Sequence, residues 1–203
     1  LALDDPTRNL LIMLAPIHQL NRLFQSLEEA ELAHVVPVVG GSINQCWHAE
    51  TKTGKSFFIK QNKIKDQEGM FLAEAKGLAL MKRSGAKTPD VFKVHSELEE
   101  QYLILSYHRP IAPTARSWND AGRMLAQMHR QHQDTFGLDH SNYMGSLVQE
   151  NAHSDTFHDF FVNSRILPQL KIARDCGRLS NMHSRKFDQL CLHYESMIPK
   201  EKP

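Results

Sequence analysis

The sequence predicts an α+β protein: a small lobe built on a five-stranded antiparallel sheet with one main helix, followed by part of a mainly helical large lobe. Three observations carry that prediction. Residues 38–60, VVGGSINQCWHAETKTGKSFFIK, read as two β-rich runs joined by a glycine-containing turn. Val91 to His95 and Gln101 to Tyr107 flank the acidic turn Glu97 to Glu100 as a second antiparallel pair. Beyond Arg109-Pro110 and Ala112-Pro113, two prolines that interrupt regular structure, the composition turns helical. The expected organisation is therefore an N-terminal helical segment over 1–33, a small lobe over 34–109 and helical material over 110–203.

Taken in order, the chain begins with Leu1, and the apolar run Leu10 to Ala15 is too short to span a bilayer and lacks the basic flank of a signal peptide. From Pro16 to Leu32, apolar residues at Ile17, Leu20, Leu23, Phe24 and Leu27 predict a packing helix. Gln45 to Glu50 alternates with the period of a strand, Thr53-Gly54 supplies a hairpin turn, and Ser56 to Lys60 returns with Phe58 and Lys60 on one face. Asp66 is the expected cap of a helix that runs to about Arg83 and stops at Ser84-Gly85, with Phe71, Ala75, Leu78 and Met81 as its apolar stripe. In the C-terminal part, Ser117 is the cap candidate for a helix ending at His129-Arg130, and Phe136 to Gly145 has loop composition. Asp155 is the cap candidate for a helix carrying Phe157, Phe160 and Phe161 and bending past Pro168. A last helix is expected from Met182 to Met197.

The chemistry suggested by this order centres on a phosphate-bearing ligand. Gly40-Gly41 removes two Cβ atoms where backbone would approach phosphate oxygens, and Ser42 and Asn44 leave amide N–H groups able to point at a ligand. A lysine closing an aromatic and β-branched strand, Lys60, suits the α- and β-phosphates as a point charge with three donors. Glu74, at the edge of the helical stripe, is the expected carboxylate partner. Glycine turn, hairpin, strand-end lysine and helical glutamate, in that order, form the layout of a kinase small lobe. The alternatives are a solvated strand end for Lys60 and a surface helix charge for Glu74.

Composition excludes several other classes. The chain has 203 residues, 41% of them hydrophobic, with 24 basic and 23 acidic side chains and a formal charge of +1. It therefore carries no electrostatic footprint for nucleic acid or an anionic membrane. Three cysteines without a CxxC spacing fit a reducing, cytoplasmic compartment. His129 and His132 stand at helical spacing, but no carboxylate or cysteine completes a metal set with them, and no metal ligand is assigned.

The chain resembles the fructosamine kinases, or ketosamine-3-kinases, of the aminoglycoside phosphotransferase and choline kinase superfamily. The likeness rests on GGSIN at Gly40 to Asn44, FFIK at Phe57 to Lys60, the Glu74-Ala75 pair and LAQMH at Leu125 to His129. FGL at Phe136 to Leu138, MGSLVQEN at Met144 to Asn151, and FFVNSRILPQL ending at Leu170 extend it. The resemblance implies a protein-kinase-like fold, ATP and Mg²⁺ as cofactors, and a small-molecule ketoamine or glycated amine as substrate, phosphorylated on a sugar hydroxyl. It implies that Lys60 holds ATP phosphates, that Glu74 orients Lys60, and that the backbone through Leu105, Ser106, Tyr107 and His108 receives adenine. It also implies that the blocks from Phe136 to Arg165 help form the sugar-amine side of the cleft.

The family's His-Gly-Asp-Leu-Trp loop, which supplies the catalytic aspartate, does not occur in these residues, nor does the aspartate that binds magnesium. The IPKEKP tail resembles the segment leading into that loop, so the catalytic aspartate is expected after Pro203 and the fragment alone is expected to be inactive. His132-Gln133-Asp134 imitates a catalytic His-x-Asp, but it continues the polar end of a helix. The competing expectation, from another class, is a non-catalytic nucleotide-binding or interaction module of the same fold.

Overall fold

The computed structural model describes residues 17–26, 31–40, 43–198 and 202–203. By contacts the chain divides into two compact units. One comprises the described residues of Leu1–Phe71 and Pro89–Ala112, the other those of Leu72–Thr88 and Pro113–Pro203.

The first unit is a five-stranded antiparallel sheet: β1 (Leu32–Pro37), β2 (Gln45–Thr51), β3 (Ser56–Lys63), β4 (Val91–Glu97) and β5 (Glu100–Ser106), in the order β1-β2-β3-β5-β4. Residues 17–26 form a helix, α1, whose Leu20, Leu23 and Phe24 recur at the spacing that brings them to one face. That face packs on Leu32, Ala49, Phe57, Ile59, Tyr102 and Ile104 from four strands, with Phe24 meeting Phe57 edge-on at 5.2 Å. Burying each of these large side chains is worth about 1.5–3 kcal/mol. The alternation in β3 is clean: Phe57, Ile59 and Gln61 are buried, whereas Phe58, Lys60 and Asn62 on the opposite side are half-buried. The β2–β3 hairpin closes as expected at Thr53-Gly54, with the Gly54 N–H donating to the Thr51 carbonyl at 2.9 Å and Gly54 at φ +83°.

Two expectations in this unit change. Leu32, taken as the end of the first helix, is already in β1 opposite Thr51, because its side chain completes the apolar cluster under α1. The following helix does not begin at Asp66; Ile64–Asp66 form a 3₁₀ turn, and α2 (Met70–Arg83) begins four residues later. Gln67 fixes that entry, its carbonyl accepting from the buried Gln101 side chain at 2.6 Å. The expectations for residues 1–16 lie outside the described residues.

From Leu72 onward α2 counts with the second unit. Its end is the expected one, and the geometry gives the reason. Gly85 adopts φ +89°, the Gly85 N–H donates to the Lys82 carbonyl and the Ala86 N–H to that of Met81, both at 3.0 Å, and Ala86 is buried. This is a Schellman termination, which needs a left-handed residue at the glycine position.

The rest of this unit is α3 (Ala115–Met128), the hairpin β6 (Asn142–Met144) and β7 (Leu147–Gln149), α4 (Phe157–Phe161), a π-turn over Val162–Ile166, α5 (Leu167–Asp175) and α6 (Asn181–Met197). Thr114, not Ser117, caps α3: Ser117 occupies the third helical position and completes a reciprocal box, donating its N–H to Thr114 Oγ1 at 3.2 Å and accepting the Thr114 N–H at 2.7 Å. Thr156, not Asp155, caps α4, accepting the Asp159 N–H at 3.0 Å. In both places neighbouring residues could cap, and the position where the backbone leaves the extended region selects one. The expected loop from Phe136 contains strand β6, paired with β7.

The bend at Pro168 takes the form of the π-turn. Pro168 has no N–H to offer the carbonyl four residues back, that of Ser164. Instead the Leu167 N–H reaches the Val162 carbonyl, and the Ser164 carbonyl accepts Arg165 Nη1 at 2.9 Å. An aromatic ladder holds these elements, running from Phe136 to Phe157 to Phe161 to Tyr194 with centroids 5.6, 5.5 and 5.2 Å apart.

Candidate functional site

In the first unit, the sheet face opposite α1 gathers most of the residues singled out from sequence. Lys60 lies half-buried in β3, opposite Cys46 of β2 and Leu103 of β5. Beside it on the same face are Phe58 and Asn62. Asn62 is the centre of a polar cluster: its Nδ2 lies within hydrogen-bonding distance of Asn44 Oδ1 at 2.7 Å and Gln67 Oε1 at 3.1 Å, with Met70 Sδ at 3.5 Å. Asn44 is thereby fastened to the strand that bears Lys60. Gly40 adopts φ +136° with no atom within 4 Å of where a Cβ would stand, so its requirement is conformational, not spatial. Gly41 and Ser42 lie outside the described residues.

At the far end of this face, Leu105 is buried in β5 opposite Phe58. Ser106 is doubly tied to Asp90: its N–H donates to the Asp90 carbonyl, and its Oγ accepts the Asp90 N–H, each at 2.9 Å. Ser106 Oγ also meets His108 Nε2 at 3.1 Å. The Tyr107 N–H donates to the Ser56 carbonyl at 3.3 Å, and its ring stacks on His48 with centroids 3.8 Å apart. The N–H groups of Ser106 and Tyr107 are thus both engaged. Glu74 lies half-buried on α2, in the second unit.

Sequence reasoning missed Asn62 and His48. Asn62 was within reach, since it stands two residues from Lys60 and so shares its face. His48 was not, because its stacking on Tyr107 depends on strand register.

In the second unit, buried Asn151 organises the hairpin region: its Nδ2 donates to the His140 carbonyl at 3.0 Å and to Asn142 Oδ1 at 3.2 Å, and its Oδ1 accepts Arg165 Nη2. Arg165 also donates to the Glu150 carbonyl at 2.8 Å and lies over the Phe160 ring, 4.7 Å from its centroid; burial pushes its pKa down. Gly137 passes so close that a Cβ would stand 2.7 Å from the Asn151 carbonyl. His132 and Gln133, in the segment that imitates a catalytic loop, engage the Pro203 carbonyl through His132 Nδ1 at 3.1 Å and the Gln133 N–H at 3.0 Å. Among the described residues, no group of three or more His, Cys, Asp or Glu could hold a metal ion. No described helix is long and apolar enough to cross a membrane.

A five-stranded antiparallel sheet with a lysine on the face opposite α1, followed in the chain by a helical region, defines an α+β, kinase-like fold. The chain belongs to the fructosamine kinase family, whose model matches residues 15–203. It is 29% identical over 153 residues to an Enterococcus faecium protein named a probable ketoamine kinase, covering 75% of this chain and 53% of that protein. It is 32% identical over 150 residues to the chloroplastic protein-ribulosamine 3-kinase of Arabidopsis thaliana, covering 71% and 45%. Two crystal structures of proteins assigned as fructosamine-3-kinases share the fold. That from Haemophilus somnus has a TM-score of 0.76 at 22% identity, covering 89% of this chain and 61% of its own. That from Thermobifida fusca has a TM-score of 0.73 at 26% identity, covering 86% and 60%. The chain spans about half the length of the curated relatives it matches.

Proposed function

We propose that this chain is the nucleotide-binding side of an ATP-dependent kinase that phosphorylates a sugar hydroxyl of fructosamines or ketosamines. The observation that carries the reading is Lys60: half-buried in β3 on the sheet face opposite α1, beside Asn62, which holds Asn44. The names of the relatives, ketoamine kinases and a ribulosamine 3-kinase, supply the substrate class.

Residues 34–109 form the ATP-binding lobe in this proposal, and 110–203 belong to the helical lobe. Lys60 donates to phosphate oxygens, and Glu74 orients it. Gly40, Gly41, Ser42 and Asn44 form the turn over the phosphates, where backbone N–H groups act as fixed donors. The segment Leu105 to His108 receives the adenine, with Leu105 and Phe58 as apolar surface and the Ser106 and Tyr107 carbonyls as acceptors. Bound ATP supplies the γ-phosphoryl group, and what the protein contributes is position and charge. Mg²⁺ accompanies ATP in this reading, but the described residues present no ligand cluster for it, so no step is assigned to it. Three free cysteines accord with a reducing compartment such as the cytoplasm.

The test is titration with a fluorescent ATP analogue, alongside turnover with ATP, Mg²⁺ and a fructosamine. Lys60→Met is expected to weaken nucleotide binding at least about tenfold, the worth of one charge-assisted hydrogen bond, with an unchanged melting temperature. Glu74→Gln should lose less, since it retains a hydrogen-bonding side chain. Unaltered affinity in a folded Lys60→Met protein would remove Lys60 from the site.

A further inference from the structure

His158 joins two helices of the second unit through both of its ring nitrogens. Thr156 caps α4, which makes Phe157, His158 and Asp159 its first three residues. His158 Nε2 lies 3.0 Å from the Cys191 carbonyl of α6, and Nδ1 lies 3.3 Å from Asp159 Oδ1. The Thr156 hydroxyl and the His158 ring hold the Asp159 carboxyl below the usual carboxylate range, so it is ionised near neutral pH. A carbonyl and a carboxylate can only accept, and each ring nitrogen therefore needs a proton to make its bond. A neutral imidazole has one N–H and one lone pair, so in either tautomer a lone pair would face an oxygen. The imidazolium alone satisfies both contacts.

The two halves of α6 are held differently. Arg174 of α5 ties the first half, donating to Ser184 Oγ at 3.0 Å and to Asp188 Oδ1 at 3.1 Å, contacts whose charges do not change near neutral pH. The second half meets α4 through His158 on the Cys191 carbonyl and through Tyr194, whose ring stacks on Phe161 at 5.2 Å. Inside α6 the Cys191 carbonyl serves the N–H four residues on, and its second lone pair is left for His158. Among the described residues, the charges acting on the ring are Asp159 from α4 and Glu195 from α6, with the Tyr194 ring centroid 6.3 Å away. His183 and His193 bond within α6 and its cap, to Ser180 Oγ and the Gln189 carbonyl. A helix N-terminus disfavours a cation, but the acceptors outweigh it. The Cys191 carbonyl first, then Asp159 and Glu195, hold the imidazole pKa above its usual 6.5 against the opposing effect of burial.

We infer that His158 is a proton-operated clasp: as the imidazolium it holds the second half of α6 against α4, and it loosens that half when the proton leaves. Because the folded state favours the protonated ring, the clasp is complete below pH 6.5 and fails as the pH rises through the raised value. Tyr194 on Phe161 then remains as the pH-independent contact between the two helices.

The experiment is hydrogen exchange on the whole chain between about pH 5 and 9, corrected for the intrinsic pH dependence of amide exchange. Amides of residues 192–197 should lose about two- to tenfold of their protection as the pH rises, the worth of one hydrogen bond, while those from Ser184 to Asp188 keep theirs. In His158→Gln, whose amide can still donate to the Cys191 carbonyl but does not titrate, protection of 192–197 should not vary with pH. Asp159→Asn and the exposed Glu195→Gln each remove one negative charge and keep a hydrogen-bonding side chain, so each should move the transition to lower pH. A second measurement needs no variant: the NMR titration of His158 Cε1–H in the wild type should have the same midpoint as the loss of protection, above pH 6.5. Constant protection of 192–197 in the wild type, a transition that persists in His158→Gln, or one spread evenly along α6 overturns the clasp. So does a His158 midpoint that differs from that of the exchange or is unmoved in Asp159→Asn.

Discussion

Asn62 donates its side-chain N–H to Asn44 Oδ1 at 2.7 Å, and this hydrogen bond ties Asn44 to the strand that carries Lys60. Eighteen residues separate the partners in sequence. Asn44, held in this way, does not have to be ordered when a ligand arrives, which lowers the entropic cost of binding.

Asn44→Ala removes the acceptor but leaves Asn62 Nδ2 near Gln67 Oε1 at 3.1 Å, so no donor is stranded. We expect a stability loss of only about 0.5–1 kcal/mol in urea denaturation. Affinity for an ATP analogue should fall about three- to tenfold, because position 44, once untethered, must be ordered on binding. Wild-type affinity in the variant would show that the tether serves the fold alone.

Gly85→Ala forces an L side chain to adopt φ +89°, and its Cβ would fall on the side-chain amide of Gln127. A destabilisation of about 1–2 kcal/mol is expected from the left-handed backbone. Gln127→Ala in the same protein should recover only the steric part, and Gly85→Asn should be milder than Gly85→Ala. A neutral Gly85→Ala would mean that the end of α2 relaxes into another termination.

Tyr102 is 4% exposed, and burial, reinforced by the carboxylates of Glu100 and Glu97 against an opposing effect of Arg22, raises its pKa from 10.0 to about 12. The fold favours the protonated phenol. Its contribution to stability is therefore complete below pH 10 and is lost as the pH rises through 12. Denaturation midpoints from pH 9 upward should fall more steeply for the wild type than for Tyr102→Phe. Parallel alkaline slopes would show that the phenol titrates equally in both states.

Arg165→Met should cost about 2–3 kcal/mol, because the carbonyls of Glu150 and Ser164 and the Asn151 side chain lose a shared donor at once. Arg165→Lys should restore little, since an ammonium cannot reproduce a planar fork that reaches three acceptors. Thermal melts of the three proteins provide the comparison, and a fully stable Arg165→Lys would show that charge, not geometry, is what the hub requires.

The candidate site was legible in sequence where chemistry follows chain order. Lys60 could be placed because period-two alternation assigns it to the face away from Phe57 and Ile59. Gly40 could be singled out because a glycine pair marks unusual backbone, and φ +136° is what it supplies. The helix caps were misplaced by one to three residues because Thr114 and Ser117, or Asp155 and Thr156, are chemically equivalent until the backbone chooses. The β6–β7 hairpin was missed because strands of three residues are too short to show a period.

By itself the sequence determined the α+β class, the order of strands and helices apart from β6 and β7, the hairpin around Gly54 and the family, because these depend on local periodicity, turn chemistry and contiguous motifs. The tertiary structure alone decided that Asn62 would hold Asn44, that His48 would stack on Tyr107, and that Ser164 would be buried at the π-turn. Each of these depends on distances between residues far apart in the chain. Strand register, and the missing N–H of Pro168 that makes Arg165 serve the Ser164 carbonyl, set those distances only once the chain has folded.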